Sequence, residues 1–110
     1  MADIYRLEIP SGILYEPVEL SASGTLVFGV PGRKIVVLSV WLVASTTNNV
    51  KFQTSTGPTD LSGPSYCAQN GGIVLPFNAG GWFETAIGDS LLINLSASNA
   101  IGGSISYALV

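Results

Sequence analysis

From Ile35 to Ala44 the chain reads IVVLSVWLVA, a run in which Ser39 is the one polar side chain. β-Branched residues, leucines and a tryptophan at this density fit a pleated, packed surface, so the run predicts a long β-strand. A strand with one face in water alternates apolar and polar residues. Here one face would carry Ile35, Val37, Ser39, Trp41 and Val43, and the other Val36, Leu38, Val40, Leu42 and Ala44, so both need cover. The core of a small domain can cover one face. The other must meet a second sheet, a long loop or another copy of the chain. Asn48 and Asn49 tolerate a left-handed backbone and mark a turn, and residues 50–56 alternate like a return strand. Together these predict a hairpin at the centre of the fold.

Elsewhere helix periodicity is absent, and short β-branched runs recur between Gly, Pro, Asn and Ser. Residues 4–9 alternate, with Ile4, Arg6 and Glu8 on one side and Tyr5, Leu7 and Ile9 on the other, as in an edge strand or an N-terminal arm. Residues 13–21 are extended but interrupted at Pro17, which belongs on a sheet edge. Residues 25–30 form another strand. Val30-Pro31-Gly32-Arg33 then places Pro and Gly where a type II turn needs them, feeding the central run. Residues 57–64 read as a loop, and 65–72 extend it into the longest irregular stretch. Strands follow at 73–77 and 82–86, separated by a tight connection at 78–81, and Gly88-Asp89 turns the chain again. Residues 91–98 place Leu91, Ile93, Leu95 and Ala97 inward, residues 104–110 do the same with Ile105, Tyr107 and Leu109, and 99–103 would join them as a hairpin loop. The expected fold is all-β: a single β-sandwich or jelly-roll-like domain over residues 1–110, of about eight strands, with 1–10 a possible arm.

Charge is scarce. Lys, Arg, Asp and Glu make up 10% of the 110 residues, against about 25% in an ordinary domain. A chain of this mass exposes on the order of 5,800 Å² when folded, and four basic and seven acidic side chains cannot dress it. Much of the surface is therefore neutral or apolar, which points to cover by partner subunits. After Asp60 the only charges are Glu84 and Asp89. With a net charge of −3 and Arg6, Arg33, Lys34 and Lys51 as the only cations, there is no footprint for a phosphate backbone, so nucleic acid is not an expected partner. The first residues lack a signal-peptide layout, and the longest apolar run is too short for a membrane-spanning helix. The expectation is synthesis in a cytoplasm and no membrane partner.

Candidate chemistry is thin. The chain has no His, and one Cys, Cys67, so hydrolytic triads lack their usual base and a Cys/His metal site lacks its ligands. Glu16 with Glu19 and Glu84 with Asp89 are the carboxylate pairs available for acid–base work, but Glu16 and Glu19 would leave a strand on opposite faces. Asp60 with Asn70, Asp89 or Asn99 could offer oxygens to Ca²⁺, without the spacing of a metal loop. No catalytic role and no cofactor is expected. Trp41 reads as core. Of the adjacent Trp82 and Phe83, one ring reads as core and the other as a contact on a neighbouring subunit or a platform for a sugar.

Three stretches carry a likeness to known proteins: PGRKIVVLSVWLVAS, VLPFNAGGWFET and GDSLLINLSASNAIGGSISYALV. Over residues 31–110 the chain resembles small all-β virion proteins of tailed bacteriophages. There an apolar strand after a PGRK-like turn, a Gly-Gly-Trp-Phe turn and a Leu-rich closing hairpin recur in a short jelly-roll-like domain. The resemblance implies a structural virion component of the surface or of a fibre, without separating the two; taken with the sparsely charged surface, the expected role is a decoration (cement) protein on the capsid surface, with a tail-fibre or lectin-like glycan-binding module as the alternative. A decoration protein would have the major capsid protein as partner. Self-association into a ring, most simply a homotrimer, would cover the second face of the central strand. The residues expected to touch the capsid are Ile4, Tyr5, Arg6 and Leu7, as an arm adding a strand to a neighbouring sheet. Those expected at the oligomer interface are Trp82, Phe83, Leu92, Asn94 and Tyr107.

Overall fold

The computed structural model describes residues 12–110. It is all-β, with two antiparallel sheets packed face to face. The strands are β1 (Leu14–Leu20), β2 (Gly24–Val27), β3 (Ile35–Ala44), β4 (Asn48–Thr54), β5 (Thr59–Asp60), β6 (Ser65–Cys67), β7 (Gly72–Leu75), β8 (Phe83–Glu84), β9 (Leu91–Leu95) and β10 (Ile101–Leu109). The first sheet has the order β1-β10-β3-β7, with β8 pairing farther along the same strand, β3; the second has the order β2-β9-β4-β5, with β6 also on β4. Counting β5 with β6 and β7 with β8 as split strands leaves four positions in each sheet. Apart from those two splits and the step from β4 to β5, every connection crosses from one sheet to the other. That is the jelly-roll wrapping. Residues 1–11, including the expected capsid-contact residues Ile4, Tyr5, Arg6 and Leu7, lie outside the described residues.

The crossing pattern corrects two expectations. β3 and β4 are joined by the short connection 45–47, yet they pair with different partners: β3 with β10, β7 and β8, and β4 with β9, β5 and β6. The expected central hairpin does not form. Nor do β9 and β10 form the closing hairpin, since β9 lies between β2 and β4 and β10 between β1 and β3. In both cases the inward stripes of the two strands line opposite walls of one core, and each connection steps from one sheet to the other. Residues 57–72 are also less irregular than expected, because they supply β5 and β6 to the free edge of β4.

β3 is the centre of the first sheet, but it does not alternate strictly. Ser106 pairs with Ser39 and Tyr107 with Val37, so Leu38 is an extra residue, a β-bulge. Below it Ile35 and Val37 face the core; above it Val40, Leu42 and Ala44 do, all at 2% exposure or less. Leu38 is itself buried but stands apart from the core cluster. At this point the neighbouring strand also breaks: β7 pairs as far as Val40, β8 resumes at Val37, and the intervening loop ties back through the Asn78 amide to the Leu38 carbonyl (2.9 Å) and the Trp82 amide to the Val37 carbonyl (2.8 Å). A Cβ on Gly72 or Gly103 would collide with the carbonyls of Leu42 and Trp41, which explains glycine on both flanks of the central strand.

The core joins these residues to Val50 and Phe52 of β4, Leu91, Ile93 and Leu95 of β9, and Ile101, Ile105 and Tyr107 of β10. The inward alternation of β9 is as expected. Pro17 lies on β1, an edge strand, where a missing ladder donor is tolerated. The turn into β3 closes with the Arg33 amide donating to the Val30 carbonyl (3.0 Å) and Gly32 at φ 77°, as type II geometry requires.

Candidate functional site

Residues paired across antiparallel strands point to the same side of a sheet, so the register gives the outer face of the first sheet row by row. One row runs Pro17, Ser104, Trp41, Val74; the next Glu19, Gly102, Val43, Gly72; a third holds Tyr15, Ser106 and Ser39. Exposure of Trp41 is 52%, of Val74 75% and of Tyr15 72%, and Val43 is also exposed. These three rows contain no Lys or Arg, and their one carboxylate, Glu19, sits on the β1 edge. The hydroxyls of Ser39 and Ser106 bond to each other, which removes them as free polar groups. Trp41, expected in the core, is therefore the centre of an open apolar face. The bulge at Leu38 sets this arrangement, because it fixes which parity of residues 39–43 looks outward.

The outer face of the second sheet is different in kind. Lys51, Gln53 and Asp60 stand on it, with Lys51 Nζ 3.2 Å from one Asp60 oxygen and Gln53 donating to the carboxylate at 2.8 Å. The Gln53 and Lys51 bonds hold the Asp60 carboxyl below its ordinary pKa. Leu92 and Asn94 lie on this polar side, paired with Gln53 and Lys51. Tyr107 is on the inner side of the other sheet, 9% exposed, where burial, and then the Glu16 charge, raise its phenol pKa. Leu92, Asn94 and Tyr107 thus share no surface, and Tyr107 is a core residue rather than an interface residue. Its inward parity was legible; its place at an interface depended on the closing hairpin that does not form.

Trp82 and Phe83 divide their roles as alternation demands. Phe83 points inward and packs against Phe52, ring centroids 5.0 Å apart and planes tilted by 32°. Trp82 is partly exposed, its indole N–H fixed on the Pro76 carbonyl at 2.9 Å. Its loop closes through the Gly81 amide to the Asn78 carbonyl (2.9 Å) and the Gly80 amide to the Asn78 side chain (3.0 Å), the tight connection expected at 78–81.

The carboxylates are occupied singly. Glu16 and Glu19 leave β1 on opposite faces, since Glu16 pairs with the inward Ile105 and Glu19 with Gly102. Glu84 lies 3.5 Å from Lys34 Nζ, an exposed pair of little energetic weight. Asp89 accepts bonds from the Thr54 hydroxyl (2.6 Å) and from the Thr56 amide (2.8 Å) and hydroxyl (2.7 Å), and these lower its pKa. Its work is to tie the 86–89 turn to the end of β4. Among the described residues no three His, Cys, Asp or Glu side chains gather into a metal site, and no helix is long and apolar enough to cross a membrane.

Fold and surface together define a jelly-roll β-sandwich with one open, nearly uncharged sheet face. The comparisons with known proteins take the description no further: no family model, curated protein or solved structure matches the chain.

Proposed function

We propose that this chain is a structural protein of a bacteriophage virion, a decoration or cement protein that binds the outside of the head and strengthens it by bridging capsid subunits. The observation that carries the reading is the outer face of the first sheet, where Trp41, Val43 and Val74 are exposed beside a strand of Ser and Gly, with no cation in the central rows. An apolar surface of this kind on a small domain marks a site of association. Self-association through it into a closed ring, most simply a trimer, places many copies on a repeating lattice. Each bound copy adds contacts that must break before the shell can expand or rupture. The arm of Ile4, Tyr5, Arg6 and Leu7 reaches the major capsid protein, while the ring is held by the Trp41 face. The resemblance over residues 31–110 supports the same reading.

The test is reconstitution. Phage head shells lacking the protein are mixed with the purified chain, sedimented and heated. Saturable binding at a fixed copy number per subunit, with a rise in the shell's disruption temperature, is the expected result. Failure to co-sediment overturns the reading. A glycan-binding fibre module is the second reading, favoured by Tyr66 at 78% exposure and by the partly exposed Trp82 ring. It predicts a saturable tryptophan fluorescence change with host polysaccharide.

A further inference from the structure

Where β7 and β8 of the first sheet run beside β5 and β6 of the second, a cleft of about 300 Å³ remains, lined by Phe52, Leu61, Ser62, Ser65, Ile73, Leu75, Trp82 and Phe83. Its origin is in the pairing. Ile73 and Leu75 face inward from β7 opposite Leu42 and Val40, Phe83 from β8 opposite Val37, and Ser65 from β6 opposite Val50. β5 and β6 are too short to carry enough side chains to fill the space.

We propose that this cleft is a binding site for a small uncharged ring compound, of one or two fused rings with a single hydroxyl or N–H group.

Size, polarity and preorganisation all point that way. The volume lies at the small end of the roughly 300–1,000 Å³ range of ligand pockets, and an apolar cavity of about 150 Å³ already admits benzene. Among the described residues no ionisable side chain lines the cleft, so a charged ligand would lose its hydration without gaining a partner. The Phe52 and Phe83 rings, 5.0 Å apart and tilted by 32°, supply an aromatic wall. The Trp82 indole is held by its bond to Pro76, so little side-chain freedom is lost when a ring packs beside it. Of the two serines, Ser62 is engaged, accepting from the Phe52 amide and donating to the Gly63 carbonyl. The Ser65 hydroxyl has no bond among the described residues and is the group that would meet the ligand's one polar atom. The cleft is separate from the Trp41 face and independent of capsid binding, so either proposal can fail without the other.

The test is a titration of the full ¹⁵N- and methyl-labelled chain with indole and with 2-naphthol, followed by NMR. Saturable shifts centred on the Ile73 and Leu75 methyls and the Ser65 amide are expected. Naphthalene-2-sulfonate should bind at least tenfold more weakly, and methyl α-glucoside should leave these signals unmoved. Leu61→Trp, which fills the mouth, should abolish the shifts. Ser65→Ala, which removes one hydroxyl and leaves the packing alone, should weaken 2-naphthol several-fold; the spectrum away from the cleft reports that each variant is folded. The proposal is overturned by the absence of saturable shifts, by equal binding of the sulfonate, or by shifts that survive both variants. Binding of N-acetyltryptophanamide without indole or 2-naphthol would also overturn it, and would make the cleft a socket for a partner's side chain.

Discussion

Asn48 is the side chain whose removal should be felt most for its size. It is fully buried at the start of β4, and its amide reaches across to the crossing between β9 and β10. Nδ2 donates to the carbonyls of Ala97 and Asn99, both at 3.0 Å, while Oδ1 accepts from the Ala97 amide (3.1 Å) and the Ser96 hydroxyl (3.3 Å). All four of its hydrogen-bonding positions are thus used, and they hold the start of β4 to the neighbouring connection that steps from β9 in one sheet to β10 in the other. Asn48→Ala strands these partners and leaves a small void. At a net of about 1 kcal/mol per bond, moderated by water entering the crossing, the loss is about 3 kcal/mol. Against a total stability of about 5–15 kcal/mol, that is a large share. For a chain of this length it lowers Tm by about 12 °C. Asn48→Asp keeps the volume but turns an oxygen toward the two carbonyls, which raises the carboxyl pKa in the folded state. With a raised folded pKa, the variant is least impaired below the unfolded carboxylate value of about 4, and its deficit grows as pH rises from there. Urea unfolding at several pH values reads both effects. An Asn48→Ala protein within about 1 kcal/mol of the parent, or an Asn48→Asp deficit that does not change with pH, would refute the account of the crossing.

Trp41→Glu combined with Val74→Glu places two charges on the open sheet face and should leave the circular dichroism spectrum intact while eluting as a monomer on sizing, where the parent is expected to elute as the proposed ring; equal elution volumes for parent and variant would rule out that face as the proposed interface. Asp89→Asn should destabilise the protein at neutral pH. Because hydrogen bonds lower the Asp89 pKa, its contribution is full above the unfolded carboxylate value of about 3.9 and is lost as pH falls through the folded one, so parent and variant should converge in acid melts. A constant difference at all pH values would assign the effect to packing. Deleting residues 1–9 should preserve the melting transition and abolish shell binding, and undiminished binding would rule out the arm as the capsid contact.

The strands were largely legible, and their partners were not. The apolar run at Ile35–Ala44, the Pro31-Gly32 turn and the alternation of Leu91–Leu95 are local patterns, and each appears in the fold where the residues place it. Which sheet a strand joins is decided by partners far along the chain, such as β1 with β10 or β2 with β9. The crossings at 45–47 and 96–100 are as short as hairpin loops, so length alone could not tell a turn within one sheet from a step between two. Asn48 is the clearest case. An Asn pair reads as turn chemistry, yet Asn48 is a strand residue whose amide satisfies a buried crossing. The open face around Trp41 was half visible: a strand apolar on both sides demands cover twice, but the bulge that decides which residues look outward leaves no mark in composition. The cleft had less signal still, since it arises from edge strands too short to fill the space they enclose.

The extra residue at Leu38 decides which half of the central strand's side chains meets water. On either side of it the inward positions are aliphatic, so exchanging one for another of similar bulk would cost little. Were the strand to pair straight through Leu38 with no residue left over, strict alternation from Val37 would send Val40 and Leu42 into water and drive Trp41 and Val43 against the opposite sheet. Deleting Leu38 itself would leave Val37 and Ser39 consecutive on a regular ladder, with Val40, Leu42 and Trp41 on the sides they already occupy. Spelling can drift in this segment, but the step at Leu38 keeps the oily side of the upper strand turned inward.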